Sequence, residues 1–129
     1  AEAFARLLPQ LSERMTAPDR EAVARIVASP ATRQLVAAAE DGRIVGLLSV
    51  ALYDVPSGRK AWIEDVVVDA ATRGRGIGEA LVREALALAR REGVARVMLT
   101  SNATRRAAHR LYERMGFVRY ETDCFRLDL

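Results

Sequence analysis

A glycine-rich segment in the second half of the chain has the residue types of an anion-binding loop. Residues 73–78 have the sequence RGRGIG, between the segment WIEDVVVD at 62–69 and an apolar-periodic segment that begins at Ile77. This order predicts a strand, a loop and the start of a helix. Glycine lets the backbone approach a ligand closely, and the N–H groups at a helix N-terminus bind anions. The segment is therefore predicted to bind a phosphate or pyrophosphate.

Two common glycine-rich phosphate sites fit this segment poorly. A nucleotide phosphate loop has Lys followed by Ser or Thr after its last glycine, but Gly78 is followed by Glu79 and Ala80. A dinucleotide fold usually has its glycine loop after the first strand of a parallel series, whereas this loop follows a predicted hairpin. A different kind of strand-to-helix loop is indicated.

The elements that must position the loop are predicted from apolar periodicity and turn residues. Two short helices come first, followed by an antiparallel hairpin, a third strand, the loop and a long helix that Gly93 ends. The predicted ranges are helices at Phe4–Arg14 and from Pro18-Asp19, strands at Gln34–Ala39 and Ile44–Tyr53 and through Trp62–Val68, a helix from Ile77, a strand at Val94–Thr100, a helix at Arg105–Met115, and two terminal strands at Phe117–Leu129 broken near Asp123.

These elements predict one domain over residues 1–129, because this length buries about two-thirds of the unfolded chain's surface in a single core. Strand, crossover helix and strand around residues 63–100 imply a parallel pair, whereas the hairpin is antiparallel. We therefore expect an α/β (α+β) fold with a mixed, mostly antiparallel sheet, a central parallel strand pair and helices on both faces.

Composition excludes several classes of protein. No apolar run approaches the roughly 18 residues of a membrane span, and the charged N-terminus differs from a signal peptide, so we expect a soluble cytoplasmic protein. One cysteine and one histidine, Cys124 and His109, predict neither an intrachain disulfide nor a metal site. The net charge is +3, but the arginines are spread along the chain among acidic residues, so no nucleic-acid partner is predicted.

The chain resembles the GNAT superfamily of acetyl-CoA-dependent N-acetyltransferases. The family signature Arg/Gln-x-x-Gly-x-Gly/Ala is matched by Arg73, Gly76 and Gly78. The strand IEDVVVD, the segment SNATRRAAHRLYERMGF at 101–117 and the order of elements are also similar. The resemblance implies acetyl transfer from acetyl-CoA to an amine.

The resemblance also implies how CoA would bind. Its pyrophosphate would lie on the N–H groups of the loop, with two arginines adding positive charge. The pantetheine arm and acetyl carbonyl would pair with free backbone groups of the preceding strand. The implied cofactor-binding residues are Val66, Val67, Val68, Arg73, Gly74, Arg75, Gly76, Ile77, Gly78, Asn102 and Tyr112.

Acetyl transfer to an amine needs a base for the amine proton and an acid for the departing thiolate. Glu64 is the preferred base, acting directly or through water, and Asp65 is the alternative. Strict alternation along the strand places Glu64 on the face of Trp62, Val66 and Val68. Some relatives carry a carboxylate at the position of Trp62, which leaves the base open.

Tyr112 matches the family's general acid, and the alternative is a packed tyrosine in the apolar helical stripe around it. Asn102 matches a position that commonly contacts the cofactor, and it could instead cap the helix that follows. His109 is given no chemical role.

The acceptor is predicted to be the primary amine of a small molecule. IEDVVV is similar to glucosamine-6-phosphate N-acetyltransferases, whereas the segment from Ser101 to Leu129 is closer to aminoalkylphosphonate and other small-amine acetyltransferases. A protein N-terminus or an aminoacyl-tRNA is an alternative acceptor. A non-catalytic CoA-binding or regulatory module is the alternative function.

The first predicted helix begins the sequence, whereas the family usually has a strand before it. This strand is expected either to be lacking from the protein or to lie outside the given sequence. If it is lacking, the sheet edge beside the hairpin is exposed and could pair with a second copy, so a homodimer is a hypothesis.

Overall fold

As far as residue 114, the helices and strands follow the predicted order along the chain. The computed structural model describes residues 1–129. Asp19 caps the second helix by accepting the Ala22 N–H at 2.8 Å, which explains why a helix restarts there. The elements are α1 (Glu2–Leu11), α2 (Arg20–Ala28), β1 (Thr32–Ala38), β2 (Ile44–Val55), β3 (Gly58–Val68), a 3₁₀ turn (Ala70–Thr72), α3 (Ile77–Arg91), β4 (Val97–Leu99) and α4 (Arg106–Arg114).

The four strands form one sheet in the order β1-β2-β3-β4. β1, β2 and β3 are antiparallel neighbours, and β4 runs parallel to β3. The long crossover through α3 makes this last pairing possible. The predicted class, with a mixed and mostly antiparallel sheet, is confirmed.

Helices cover both faces of the sheet, as predicted. On one face, Val50 of β2 and Ile63 of β3 share a core with Val82 of α3, and the apolar side of α4 packs against it. On the other face, Leu7 of α1 packs against Leu47 and Val67. Full burial of each such aliphatic side chain contributes about 1.5–3 kcal/mol. Both cores therefore hold the helices against β2 and β3.

A β-bulge interrupts β3 in its second half. Ser49 pairs with Glu64 and Leu47 pairs with Val67, so Leu48 alone lies opposite Asp65 and Val66. Asp65 has a φ of +50° and is the only non-glycine residue with positive φ. Aspartate tolerates this left-handed conformation better than most residues. The extra residue shifts the alternation of side chains by one position. Residues after the bulge therefore lie on the sheet face opposite to the one that strict alternation from the first half of β3 would give them.

The prediction of two C-terminal strands is wrong, because residues 117–129 contain no strand. β4 is also shorter than predicted, since it spans Val97–Leu99 rather than residues 94–100. The alternating Phe125, Leu127 and Leu129 give strand propensity, but a strand forms only where a partner completes its hydrogen bonds. These three side chains are instead exposed to solvent.

β1 is an outer strand, which pairs only with β2. This arrangement agrees with an exposed edge beside the hairpin, and the homodimer stays a prediction. None of the helices combines the length and the apolar character needed to cross a membrane.

Candidate active site

A cleft opens where β3 and β4 diverge. The two strands pair only from Ala61 to Ile63 on β3, so the rest of β3 has no partner strand on that side. The cleft has a volume of about 1240 Å³. Its walls are the end of α1, the second half of β3, the glycine segment, residues 99–102 and α4. Unpaired strand backbone inside a cleft can donate to and accept from an extended ligand.

The glycine segment carries unused backbone N–H groups. The first N–H of α3 to donate within the protein is that of Ala80, to the Gly76 carbonyl at 3.0 Å, and no N–H from residues 73–79 has a protein acceptor. Gly76 is the N-cap, with φ +76°. No atom lies within 4 Å of the place where its Cβ would be. A helix N-terminus with free N–H groups and open space is suited to an anion.

The structure brings together all but one of the site residues predicted from the sequence. Arg75 does not line the cleft. Arg73 folds back onto the strand, where its Nε donates to the Val68 carbonyl at 3.3 Å. The predicted residues that do line the cleft are Glu64, Val66, Val67, Val68, Arg73, Gly74, Gly76, Ile77, Gly78, Asn102 and Tyr112.

The prediction that Glu64 shares a face with Val66 and Val68 is wrong. Because of the bulge, Glu64 lies on the α1 face with Trp62 and Val67, whereas Val66 and Val68 pack toward α3. A signal for this was present in the sequence, since Glu and Asp are both depleted in strands and Asp tolerates positive φ. Two such residues in succession mark the irregular position.

The environment of Glu64 makes its carboxylate more basic. Partial burial raises the pKa of the Glu64 carboxyl above its usual range, and the neighbouring Asp65 carboxylate raises it further. Both effects disfavour the charged form. A carboxylate of this kind accepts a proton more readily than one in water.

Tyr112 lies in α4 on the opposite wall of the cleft. Its ring packs edge-on against Phe117, with centroids 5.8 Å apart and an interplanar angle of 62°. Burial raises the pKa of the Tyr112 hydroxyl, although the positive charge of Arg105 opposes this shift. The hydroxyl therefore keeps its proton at neutral pH and can act as a donor.

The alternative that Asn102 caps α4 is wrong, because Arg105 is the N-cap of that helix and makes no side-chain cap bond. Asn102 instead forms a turn ahead of the helix. Its Oδ1 accepts from the N–H and from the hydroxyl of Thr104, both at 2.9 Å, and so forms the turn before α4. The amide nitrogen takes no part in these bonds. The residue also lines the cleft, so this turn leaves it available for ligand contact.

Residues 3–117 match the family model described as the Acetyltransferase (GNAT) family. This match covers most of the chain. The protein belongs to the GNAT acetyltransferase family. Membership implies acetyl-CoA as cosubstrate.

Several individual proteins are similar to this GNAT domain. It is 36% identical to a mycothiol acetyltransferase of Thermomonospora curvata over 69% of the chain, and 38% identical to a glucosamine 6-phosphate N-acetyltransferase of Trypanosoma brucei brucei over 68%. The chain spans 29% and 59% of these relatives' own lengths. A putative acetyltransferase from Agrobacterium tumefaciens superposes with a TM-score of 0.87 at 27% identity, over 99% of this chain and 92% of that one.

The GNAT cleft is held in shape by contacts that sequence patterns did not indicate. Arg6 of α1 donates to Asp69 at 3.0 Å, just before the glycine segment. The pKa of the Asp69 carboxyl lies below its usual range, chiefly because the carboxylate accepts the Ala71 N–H. A hydrogen bond from Gln10 and the charges of Arg43 and Arg6 also lower it, so the group stays ionised. On the far side, Arg105 donates to the Leu11 carbonyl at 2.8 Å and so joins α4 to α1. Both walls are thereby tied to α1.

Proposed function

We propose that this domain transfers the acetyl group of acetyl-CoA to the primary amine of a small molecule. The observation that carries the proposal is the row of free N–H groups from residues 73–79, which lies at one end of a cleft that also contains Glu64 and Tyr112. Acetyl-CoA supplies an acetyl group activated as a thioester. The domain's own residues would bind the pyrophosphate of acetyl-CoA, take a proton from the ammonium and donate to the departing sulfur.

On the donor side, the residues fit an extended ligand with a pyrophosphate. The loop N–H groups would donate to the pyrophosphate oxygens, each charge-assisted hydrogen bond contributing about 1.5–3 kcal/mol. The backbone groups of residues 66–68 that face away from β2 would bind the pantetheine arm. The amide nitrogen of Asn102 is free to contact it from the other wall.

On the acceptor side, the chemistry requires a neutral amine. Glu64 would take one proton from the ammonium, either directly or through water. The nitrogen would then form a bond to the acetyl carbon as the carbon–sulfur bond breaks, while Tyr112 donates to the sulfur. An ammonium and a thioester thus give an amide, a thiol and one proton released to solvent.

A small acceptor is supported by the names of the two relatives, a mycothiol acetyltransferase and a glucosamine 6-phosphate N-acetyltransferase, which indicate small-molecule substrates. The test is a panel of amino sugars, aminophosphonates, polyamines, aminoglycosides and peptides, with release of free thiol from acetyl-CoA measured against a no-amine control. We expect release above the control with at least one small amine. Turnover confined to peptides would indicate an N-terminal acetyltransferase. CoA binding without turnover on any amine would indicate a non-catalytic module.

The role of the loop can be tested by filling its open space. Gly76→Val places a side chain where the N–H groups must meet the ligand. We expect CoA to bind about 10–100-fold more weakly, which corresponds to the loss of about one charge-assisted hydrogen bond. Titration calorimetry with CoA measures this.

The matched control for Gly76→Val is Gly93→Val. Gly93 has φ +74° and equally open surroundings, but it lies beyond the other end of α3. Both substitutions therefore impose similar backbone strain, of about 1–2 kcal/mol or more. Only the change at Gly76 should weaken CoA binding. An equal loss of affinity in both variants would show that strain, rather than the loop, is responsible.

A further inference from the structure

A polar row crosses three strands on the face that carries Glu64. Gln34 of β1 pairs with Ser49 of β2, and Ser49 pairs with Glu64 of β3. Residues directly opposite each other in an antiparallel pair have Cβ atoms about 4.5–5.5 Å apart on one face of the sheet. Ser49 is therefore the immediate neighbour of Glu64; it is half-buried and lies next to the cleft, whose lining includes Glu64 but not Ser49.

The hydrogen bonds of Gln34 determine which way the Ser49 hydroxyl points. The Gln34 amide nitrogen donates to the backbone carbonyls of Leu35 and Leu48, at 3.2 and 3.1 Å. Carbonyl oxygens only accept, so the amide cannot be turned round without loss of both bonds. The Gln34 oxygen consequently faces Ser49, whose hydroxyl donates to it at 2.6 Å.

Because the Ser49 hydroxyl proton is donated to Gln34, Ser49 cannot donate a hydrogen bond to Glu64. Its oxygen keeps only acceptor capacity, and an ionised carboxylate is also only an acceptor. Two acceptors side by side match a group that carries at least two N–H or O–H donors. The ammonium of a primary amine has three N–H donors, and it still has two after it gives up one proton.

We propose that Ser49, held as an acceptor by Gln34, positions the acceptor amine by receiving one of its N–H groups while Glu64 receives another. This inference rests on the proposed function. Once Glu64 has taken a proton, the bond to Ser49 would keep the nitrogen in place and restrict the direction of its lone pair. Ser49 is thus a positioning residue, and Gln34 acts through it.

Several other charged groups face Glu64 and must be considered in any pH experiment. On the same sheet face, Lys60 and Tyr53 lie two rows away. The part of α1 that lines the cleft contributes no titratable side chain. The titratable groups that line the cleft with Glu64 are Asp65 from its own strand, Arg73 and Glu79 from the glycine segment and the start of α3, and Arg105, Arg106, Arg110, Tyr112 and Arg114 from α4 and the turn before it.

Two single variants test the inference through different readouts. Ser49→Ala should raise KM for the amine about ten-fold without changing CoA affinity, and Ser49→Thr should restore it. Gln34→Leu should free the Ser49 hydroxyl to donate to Glu64, which stabilises the carboxylate. The acidic limb of the kcat/KM profile should then move about 0.5–1 unit to lower pH. Use of the same amine throughout cancels the amine's own titration.

The double variant Gln34→Leu with Ser49→Ala is the decisive control. It has no hydroxyl to donate, so the shift should disappear, whereas a structural effect of losing Gln34 would remain. A shift that persists in the double variant, or an unchanged KM in Ser49→Ala, would overturn the inference while the unaltered protein still turns over the amine. Absence of turnover by the unaltered protein on every amine would instead overturn the proposed function, and this inference with it.

Discussion

Replacement of Tyr112 by phenylalanine is expected to lower kcat by about 10²-fold, at the lower end of the range for general acid–base catalysis. The affinity for CoA should remain nearly unchanged. The phenylalanine ring keeps the edge-on contact with Phe117, so the variant loses the hydroxyl and little else. Steady-state turnover together with a CoA titration measures both quantities.

The modest size of this effect follows from the two pKa values involved. A thiol has a pKa of about 8.5, and burial places the pKa of Tyr112 above the usual tyrosine value of about 10. Complete proton transfer from the phenol to the thiolate is therefore unfavourable. The hydroxyl would act chiefly by a hydrogen bond to the sulfur as negative charge builds there.

Tyr120→Phe is the matched control for this prediction. Tyr120 is 57% exposed and packs against Arg96, outside the cleft. The same chemical change at this position should leave kcat unaltered. If Tyr112→Phe also has full activity, Tyr112 is a packed helix residue and the acid must be sought elsewhere.

The features that could be predicted from the sequence are those determined by neighbouring residues. The glycine segment was identified because the strand, loop and helix signals lie next to one another in the chain, and the structure shows the expected free N–H groups there. The crossover from β3 through α3 to β4 likewise required a parallel pair. Local chemistry was sufficient for the glycine segment and the crossover.

Other parts of the cleft depend on contacts between distant parts of the chain. Arg6 and Asp69 are separated by 63 positions, and Gln34 and Ser49 by 15. No periodicity in the sequence records such pairs, because each residue alone is an ordinary polar residue. The bulge at Asp65 has a similar effect, since one extra residue moved Glu64 away from the face that strict alternation predicted.

In the C-terminal segment, the sequence pattern predicted strands that the structure does not contain. Phe125, Leu127 and Leu129 alternate as in a strand, yet no strand forms and their side chains are exposed. Periodicity reports what a segment could bury if a partner were present. It carries no information on whether the three-residue β4 offers such a partner.

Glu64→Gln should lower kcat/KM by about 10²–10⁴-fold, because glutamine cannot take the amine proton. The pH dependence should change as well. In the unaltered protein the base works when ionised, so kcat/KM should fall as pH drops through the raised pKa of Glu64, which lies above the usual value of about 4.3. In the variant this acidic limb should be absent, as a pH profile at fixed amine would show.

Asp65→Asn distinguishes the role of the Asp65 carboxylate from that of Glu64. Removal of the Asp65 charge takes away one of the two causes that raise the pKa of Glu64, so the acidic limb should move to lower pH while activity at neutral pH is kept. If Asp65→Asn abolishes the limb and Glu64→Gln retains it, the base is Asp65. If both variants keep an unchanged limb, neither carboxylate is the base, and the proton must leave to water or to another group in the cleft.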